Sequence, residues 1–121
     1  MTEAVPAGFP SPAQDYYDGD VDLNEHLIRN RPATFIVRVA GESMSGAGIC
    51  GGDELIVDRS LTPVDGNVVI AVVDGEMVVK RLRIAAGGRP ELHPENPEFP
   101  VIRPDELTVW GVATTCLHHL A

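Results

Sequence analysis

The chain has 121 residues and a mass of 13.0 kDa, enough for one hydrophobic core but not for two. Its net charge of −9 and pI near 4.7 argue against direct, charge-driven binding to nucleic acid. No apolar run approaches the roughly 18–20 residues that span a bilayer, and the N-terminus lacks a secretory signal. The composition therefore predicts a cytoplasmic protein without a membrane segment. If the protein acts on DNA, we expect it to do so through protein partners.

The first 33 residues differ in composition from the rest of the chain. Three prolines and a glycine among the first 12 residues predict an extended, mobile start. Asp22-Leu-Asn-Glu25 resembles a capping box, and the apolar residues around it predict one short helix that ends before Pro32. We therefore expect an N-terminal arm over residues 1–33 and a single compact domain over residues 34–121.

From residue 34 onward, short apolar and β-branched runs alternate with clusters of Gly, Pro and Asp. Asp74-Gly75 is a two-residue hairpin signal between two of these runs. Frequent short strands separated by turns favour a mainly β domain over βαβ units. The predicted strands are residues 34–39, 54–58, 67–73, 76–84, 91–93 and 107–115.

The residues that often bind metals or phosphates do not form a recognisable site in the sequence. Cys50 and Cys116 lack the paired spacing of a zinc site and are expected to be free thiols. The pair His118-His119 is more typical of an exposed strand end than of a metal site. Residues 51–53 (Gly-Gly-Asp) predict a tight turn, because no P-loop lysine and no helix follow. A solvated acidic surface, without metal, is expected from Asp53, Glu54, Asp58, Asp74 and Glu76.

Ser43 lies in the turn signal directly after the first predicted strand. A serine at such a break is usually a solvated turn residue, and it becomes a nucleophile only if a neighbour accepts its proton. Lys80 lies between Val78 and Leu82 on one face of the fourth predicted strand, so its amine should be partly desolvated. Desolvation disfavours the ammonium, and a neutral lysine near a serine is a general base. The alternative is a lysine that snorkels to water.

Four stretches of the chain, given in chain order below, resemble the LexA/UmuD family of self-cleaving Ser-Lys proteins. Residues 7–16 and 21–24 narrow the resemblance to the UmuD group, and it covers nearly the whole chain from Ala7 onward. The resemblance implies a β domain of the LexA/signal-peptidase type, with Ser43 and Lys80 as catalytic residues and no cofactor. The stretches are Gly41-Glu-Ser-Met44, Gly52-Asp-Glu-Leu-Ile-Val-Asp58, Ala71-Val-Val-Asp-Gly75 and Val78-Val-Lys-Arg-Leu82.

Self-cleavage also requires an oxyanion site and a reachable peptide bond. Backbone N–H groups of the Ser43 turn, from Ser43 and Met44, are the candidate oxyanion donors. Ala7–Gly8 is the candidate scissile bond, because small residues let the backbone approach closely and the flanking prolines stiffen the segment. Without the resemblance, Ala-Gly would be ordinary loop composition.

The position of this bond does not indicate whether the chain cleaves itself or a second copy of the protein. From Gly8 to Thr34 an extended chain could reach roughly 80 Å, so reach does not distinguish cleavage in cis from cleavage in trans. Seven residues precede the bond, whereas the UmuD group usually carries a longer arm. The segment that would dock before the bond is therefore expected to be short.

The resemblance implies a homodimeric accessory subunit of an error-prone translesion (Y-family) polymerase. In that reading, a RecA filament on single-stranded DNA stimulates the cleavage that activates the protein during the SOS response. A LexA-type repressor would need a helix-turn-helix, and the residues before 34 hold too little for one. Signal peptidase would need a membrane anchor. A catalytically silent polymerase-binding module would keep the fold without the chemistry.

Overall fold

A computed structural model describes residues 22–28 and 30–121, and six antiparallel strands in it form one sheet. The order across the sheet is β1-β2-β6-β3-β4-β5. Alongside the sheet lie a five-residue helix, α1 (Leu23–Leu27), and two 3-10 turns, Arg31–Ala33 and Ser45–Ala47. The strands are β1 (Thr34–Arg38), β2 (Glu54–Asp58), β3 (Val68–Val73), β4 (Glu76–Ile84), β5 (Pro90–His93) and β6 (Thr108–Leu117). The mainly β architecture with one short α-helix is confirmed.

The long strand β6 joins the two halves of the sheet, because it pairs with β2 on one side and with β3 on the other. Both pairings contain a register shift, between Ile56 and Val57 and between Ile70 and Ala71. Irregularities of this kind bend a strand and increase its twist. The sheet therefore curls, and β1 and β4 line a common cleft although three strands separate them.

The hairpin between β3 and β4 has the turn that the sequence predicts. Asp74 and Gly75 both have positive φ, at 51° and 79°, as a type I′ turn requires. The turn fixes the register, so that Val73 pairs with Glu76 and Val69 pairs with Lys80. A one-residue slip would move the Lys80 side chain to the opposite face of the sheet.

The buried apolar side chains form two clusters, one on each side of the central strands. Leu55, Val57, Val69 and Leu92 are at most 1% exposed. The first cluster consists of Val39, Met44, Ile49, Leu55, Val57 and Ile70. The second consists of Val69, Ala71, Leu82, Leu92 and Val112.

The helix α1 is capped, though not by the predicted capping box. Asp22 Oδ1 accepts a hydrogen bond from the N–H of Asn24, at 2.9 Å, rather than from that of Glu25. Ile28 closes the C-terminal end, and Pro32 lies in the 3-10 turn that leads into β1. No residue of α1 is buried, so the helix adds little to the core.

The remaining differences from the predicted elements lie at their ends. β6 continues to Leu117 instead of ending at residue 115, and Val39 lies just beyond β1. The 3-10 turn Ser45–Ala47 was not predicted, because its one-turn length leaves no periodic pattern. No helix among the described residues is long and apolar enough to cross a membrane. The division at residue 33 remains a prediction.

Leu92→Ala tests how far the second cluster stabilises the fold. Leu92 is fully buried in β5, so we expect its truncation to reduce the free energy of unfolding by about 2–5 kcal/mol. Val64→Ala is the control, because Val64 is 58% exposed in the loop before β3 and should cost less than about 1 kcal/mol. Urea denaturation measures both. Equal losses in the two variants would contradict the assignment of this core.

Candidate active site

Ser43 is presented by a turn that is anchored in the core by the next residue. The chain leaves β1, passes Gly41, whose φ is +80°, and reaches Ser43 and Met44. The Met44 side chain is 1% exposed and belongs to the first core cluster. Its carbonyl accepts hydrogen bonds from the N–H groups of Ala47 (3.0 Å) and Ile49 (3.2 Å). Ser43, itself half-buried, is therefore held at the edge of the core.

The structure brings Ser43 and Lys80 together. Lys80 lies in β4 and is 8% exposed, and its Nζ lies 2.8 Å from Ser43 Oγ. An ammonium donates this hydrogen bond to the hydroxyl oxygen, whereas a neutral amine accepts one from the hydroxyl. The same geometry therefore serves proton transfer in either direction.

Burial lowers the pKa of Lys80 below the ordinary lysine value of 10.5. The cause is desolvation, which disfavours the charged amine. The ring of Phe99 lies 5.8 Å from Nζ and covers the amine from the loop that follows β5. A lowered pKa increases the fraction of neutral amine, which is the form that can accept a proton from Ser43.

A cleft of about 250 Å³ opens beside the pair. Its walls come from the end of β1 and from β4, and Arg38 is a charged residue at its margin. An apolar cleft between two strands suits an extended peptide with small side chains. The apolar residues that line it are Val37, Val39, Ala40, Met44, Ile70, Met77, Val78 and Val79.

The backbone N–H groups of Ser43 and Met44 donate no hydrogen bond to any residue within 22–28 and 30–121. The N–H of the next residue, Ser45, is engaged by the carbonyl of Glu42 at 3.2 Å. The two N–H groups predicted as oxyanion donors therefore remain candidates. The predicted scissile bond, Ala7–Gly8, lies outside the described residues.

A loop after β5 holds the Ser43 turn, although its Pro-rich sequence indicates only a turn region. The N–H of Glu95 donates to the Ser43 carbonyl (2.8 Å), and the Glu95 carbonyl accepts from the N–H of Gly46 (2.7 Å). Asn96 Nδ2 donates to the Glu42 carbonyl at 3.0 Å. A Cβ at Gly46 would lie 2.3 Å from the Glu95 carbonyl oxygen, so this position requires glycine. Only that glycine could have indicated the contact from sequence.

The prediction that the acidic residues form a solvated surface is wrong for Asp53 and Asp58, which are buried, at 2% and 5% exposure. Asp53 accepts hydrogen bonds from the Cys50 N–H (2.8 Å) and from His118 Nδ1 (2.6 Å). Asp58 accepts from the N–H and the hydroxyl of Ser60. Both carboxylates are buried because local donors replace water. The Cys50 N–H, and then His118, lower the pKa of Asp53.

The cysteines and histidines near Asp53 are structural. Cys50 and Cys116 are both free thiols, as predicted. Burial, reinforced by Asp53, raises the pKa of the Cys116 thiol, which disfavours the reactive thiolate. His119 pairs with Glu54 at 2.5 Å. Among the described residues, no group of three or more His, Cys, Asp or Glu side chains is arranged to hold a metal.

Lys80→Met tests the burial of the amine. Because the pKa of Lys80 is lower in the folded protein, the unfolded chain binds more protons at pH values between that folded-state pKa and 10.5. The free energy of unfolding of the wild type therefore rises with pH across this range. Removing the amine should raise the free energy of unfolding at neutral pH, and this gain should fade near pH 10.5. Urea denaturation at both pH values measures this. A variant that is less stable at neutral pH would contradict the desolvated state.

Comparison with known proteins places this arrangement in a family. The family model described as Peptidase S24-like matches residues 1–114. Protein SamA of Salmonella typhimurium is 47% identical over 118 residues, covering 98% of this chain and 83% of that protein. Protein MucA of Escherichia coli is 44% identical over 119 residues, covering 95% of this chain and 80% of that protein.

A repressor shares the same region of sequence. The LexA repressor of Frankia alni is 36% identical over 116 residues, which cover 96% of this chain but 45% of the repressor. The shared part is thus the S24 region, with the rest of the repressor outside the match. The chain belongs to the Peptidase S24-like family of serine peptidases, as a UmuD-like member of its LexA/UmuD group.

Proposed function

We propose that this protein is a self-cleaving serine peptidase that cuts its own Ala7–Gly8 bond with a Ser43–Lys80 dyad. The observation that carries the proposal is the 2.8 Å contact between Ser43 Oγ and the buried Lys80 Nζ. A nucleophile and a base within hydrogen-bond reach, in a cleft that takes an extended chain, are the requirements of covalent acyl transfer.

In the first half of the reaction, neutral Lys80 accepts the Ser43 proton as Oγ attacks the carbonyl carbon of Ala7. The oxyanion that forms is stabilised by the N–H groups of Ser43 and Met44. The C–N bond then breaks, and Lys80 returns its proton to the amine of Gly8. An ester between Ala7 and Ser43 Oγ remains, which water hydrolyses with Lys80 again as the base.

The biological role we propose is that of an accessory subunit of a Y-family translesion polymerase in SOS mutagenesis. Its support is membership of the UmuD-like group. We further propose that cleavage is stimulated by a RecA filament on single-stranded DNA and occurs in the cytoplasm. The net charge of −9 favours protein partners over direct contact with DNA.

We propose that the protein acts as a homodimer. The strand order of the sheet indicates which strand could form the dimer interface. From its apolar sequence, the predicted strand 107–115 could supply either a paired edge or a packed face of the dimer. It corresponds to β6 in the middle of the sheet, where both edges are already paired, so only a packed face remains available to it. β1 is an edge strand, and its Phe35 and Ile36 are 44% and 60% exposed. Strand edges of this kind pair readily with a second chain.

A catalytically silent binding module is the competing function. The lowered pKa of Lys80 favours the catalytic function, because a desolvated lysine within hydrogen-bond reach of a serine in a cleft is typical of a functional site. A LexA-type role is less favoured, because the chain is 47% identical to protein SamA but 36% identical to the LexA repressor.

The first test of the proposed function is the identity of the product. Incubation of the purified protein at mildly alkaline pH should remove residues 1–7 and leave residues 8–121, as intact mass and N-terminal sequencing would show. Gly8→Glu should block the reaction while the fold is retained, because a long charged side chain replaces the hydrogen at the scissile bond. A cut elsewhere, for example within residues 46–53, would contradict the proposed bond.

The second test distinguishes a proton-accepting lysine from a charge-stabilising one. Lys80→Arg keeps the positive charge, but a guanidinium does not deprotonate in this range, so we expect a folded and inactive protein. Ser43→Ala should abolish cleavage, since no nucleophile remains, and Lys80→Ala should nearly abolish it. Cleavage rates are followed by intact mass.

The wild-type rate should also depend on pH in one direction. Because burial lowers the pKa of Lys80, the neutral amine grows as pH rises, and cleavage should accelerate and then level off above that pKa. Robust cleavage by Lys80→Arg, or a rate that falls with rising pH, would overturn the dyad. If the wild-type protein does not cleave itself, this result would favour the catalytically silent binding module.

A further inference from the structure

The position of the Ser43 turn depends on Glu95, which lies two residues beyond β5. The two backbone hydrogen bonds between Glu95 and the turn, to Ser43 and from Gly46, run in opposite directions and are 2.8 and 2.7 Å long. Contacts of this kind fix both the distance and the angle between two chain segments. A displacement of Glu95 would therefore carry Ser43 with it.

Glu95 is itself held by Arg81, the residue that directly follows Lys80 in β4. Arg81 Nε donates to Glu95 Oε1 at 2.6 Å, and its Nη1 donates to the Gly66 carbonyl at 2.7 Å. The β4–β5 register pairs Arg81 with His93, which places Glu95 within reach along the same edge. Two consecutive residues of β4 thus contact the Ser43 turn, one directly and one through Glu95.

We propose that the half-buried Arg81–Glu95 ion pair positions Ser43 against Lys80, which makes Arg81 and Glu95 positioning residues of the dyad. This inference rests on the proposed function. Neither side chain touches the reacting atoms. Their effect is on the separation and angle between Ser43 Oγ and Lys80 Nζ.

The surroundings of the pair make it suited to this role. The Arg81 and Glu95 side chains are 24% and 32% exposed, so water screens their attraction less than in a fully exposed pair. The second anchor of Arg81, at Gly66, prevents the guanidinium from following a displaced carboxylate. Loss of about 1 Å of precision between reacting groups can cost up to about a hundredfold in rate.

The experiment compares Glu95→Gln, Arg81→Gln and the double variant with the wild type. Each single variant should slow self-cleavage by about tenfold or more, because the turn loses its fixed position. The double variant should be no slower than the slower single one, since both substitutions break the same contact. The control is Arg103→Gln, which breaks another Arg–Glu pair, to Glu91 of β5 at 2.8 Å, without touching the Ser43 turn.

A second readout does not depend on cleavage, because Lys80 is the only lysine in the sequence. Protein labelled with 13C-lysine and carrying Gly8→Glu gives one lysine signal, and its titration reports the state of this amine. The groups described around the amine are the Ser43 hydroxyl and the Phe99 ring, and the guanidinium of Arg38 is a charged group of the same cleft that every variant retains. A displaced turn would admit water, so Glu95→Gln and Arg81→Gln should both raise the pKa of Lys80.

Electrostatics alone would give a different result. Loss of the Glu95 carboxylate would lower the pKa of Lys80, and loss of the Arg81 guanidinium would raise it. Shifts of opposite sign, rates like that of the wild type, or a loss of rate equalled by Arg103→Gln would each overturn the proposal. If the wild type does not cleave, the proposed function fails, and the titration alone decides the positioning role. Thermal melting identifies a variant that fails to fold, and the other single variant then carries the test.

Discussion

The hydrogen bond between Lys80 Nζ and Ser43 Oγ is the contact around which the architecture is arranged. It requires a lysine amine with little exposure to water, and a buried amine is costly unless its charge is removed or paired. It also requires two chain segments on strands that are not neighbours in the sheet. The curl of the sheet meets the second requirement, because the irregular pairings of β6 bend it enough for the end of β1 to approach β4.

Local features of the sequence predicted the strands well, because clusters of Gly, Pro and Asp separate the apolar runs that form them. The Asp74-Gly75 turn was predictable because only a few residue types adopt two consecutive positive φ values without strain. Alternation along β4 then indicated that Lys80 shares the face of Val78 and Leu82. The alternation of side chains along β4 shows which face of the sheet Lys80 lies on, but not its distance from Ser43. The proximity of the two residues was therefore inferred from their types and from the family resemblance.

Two of the features that the sequence did not reveal depend on contacts between distant segments. The hydrogen bonds between Glu95 and the Ser43 turn join residues about 50 positions apart, and Gly46 is the single local sign of them in the sequence. The burial of Asp53 depends in part on His118, which lies 65 positions further along the chain. Acidic residues at turns are usually solvated, so the prediction failed at Asp53 and Asp58, where backbone and side-chain donors converge.

The distribution of basic residues completes the physical case for the proposed chemistry. Lys80 is the single lysine of the chain, and all the other cationic side chains apart from histidine are arginines. A guanidinium keeps its proton even when buried, and its fork of donors suits structural contacts such as those that Arg81 makes with Glu95 and Gly66. An amine loses its proton when desolvated, as Lys80 is. The two adjacent cations of β4 therefore differ in what burial does to them: it leaves Arg81 a fixed charge and makes Lys80 a base.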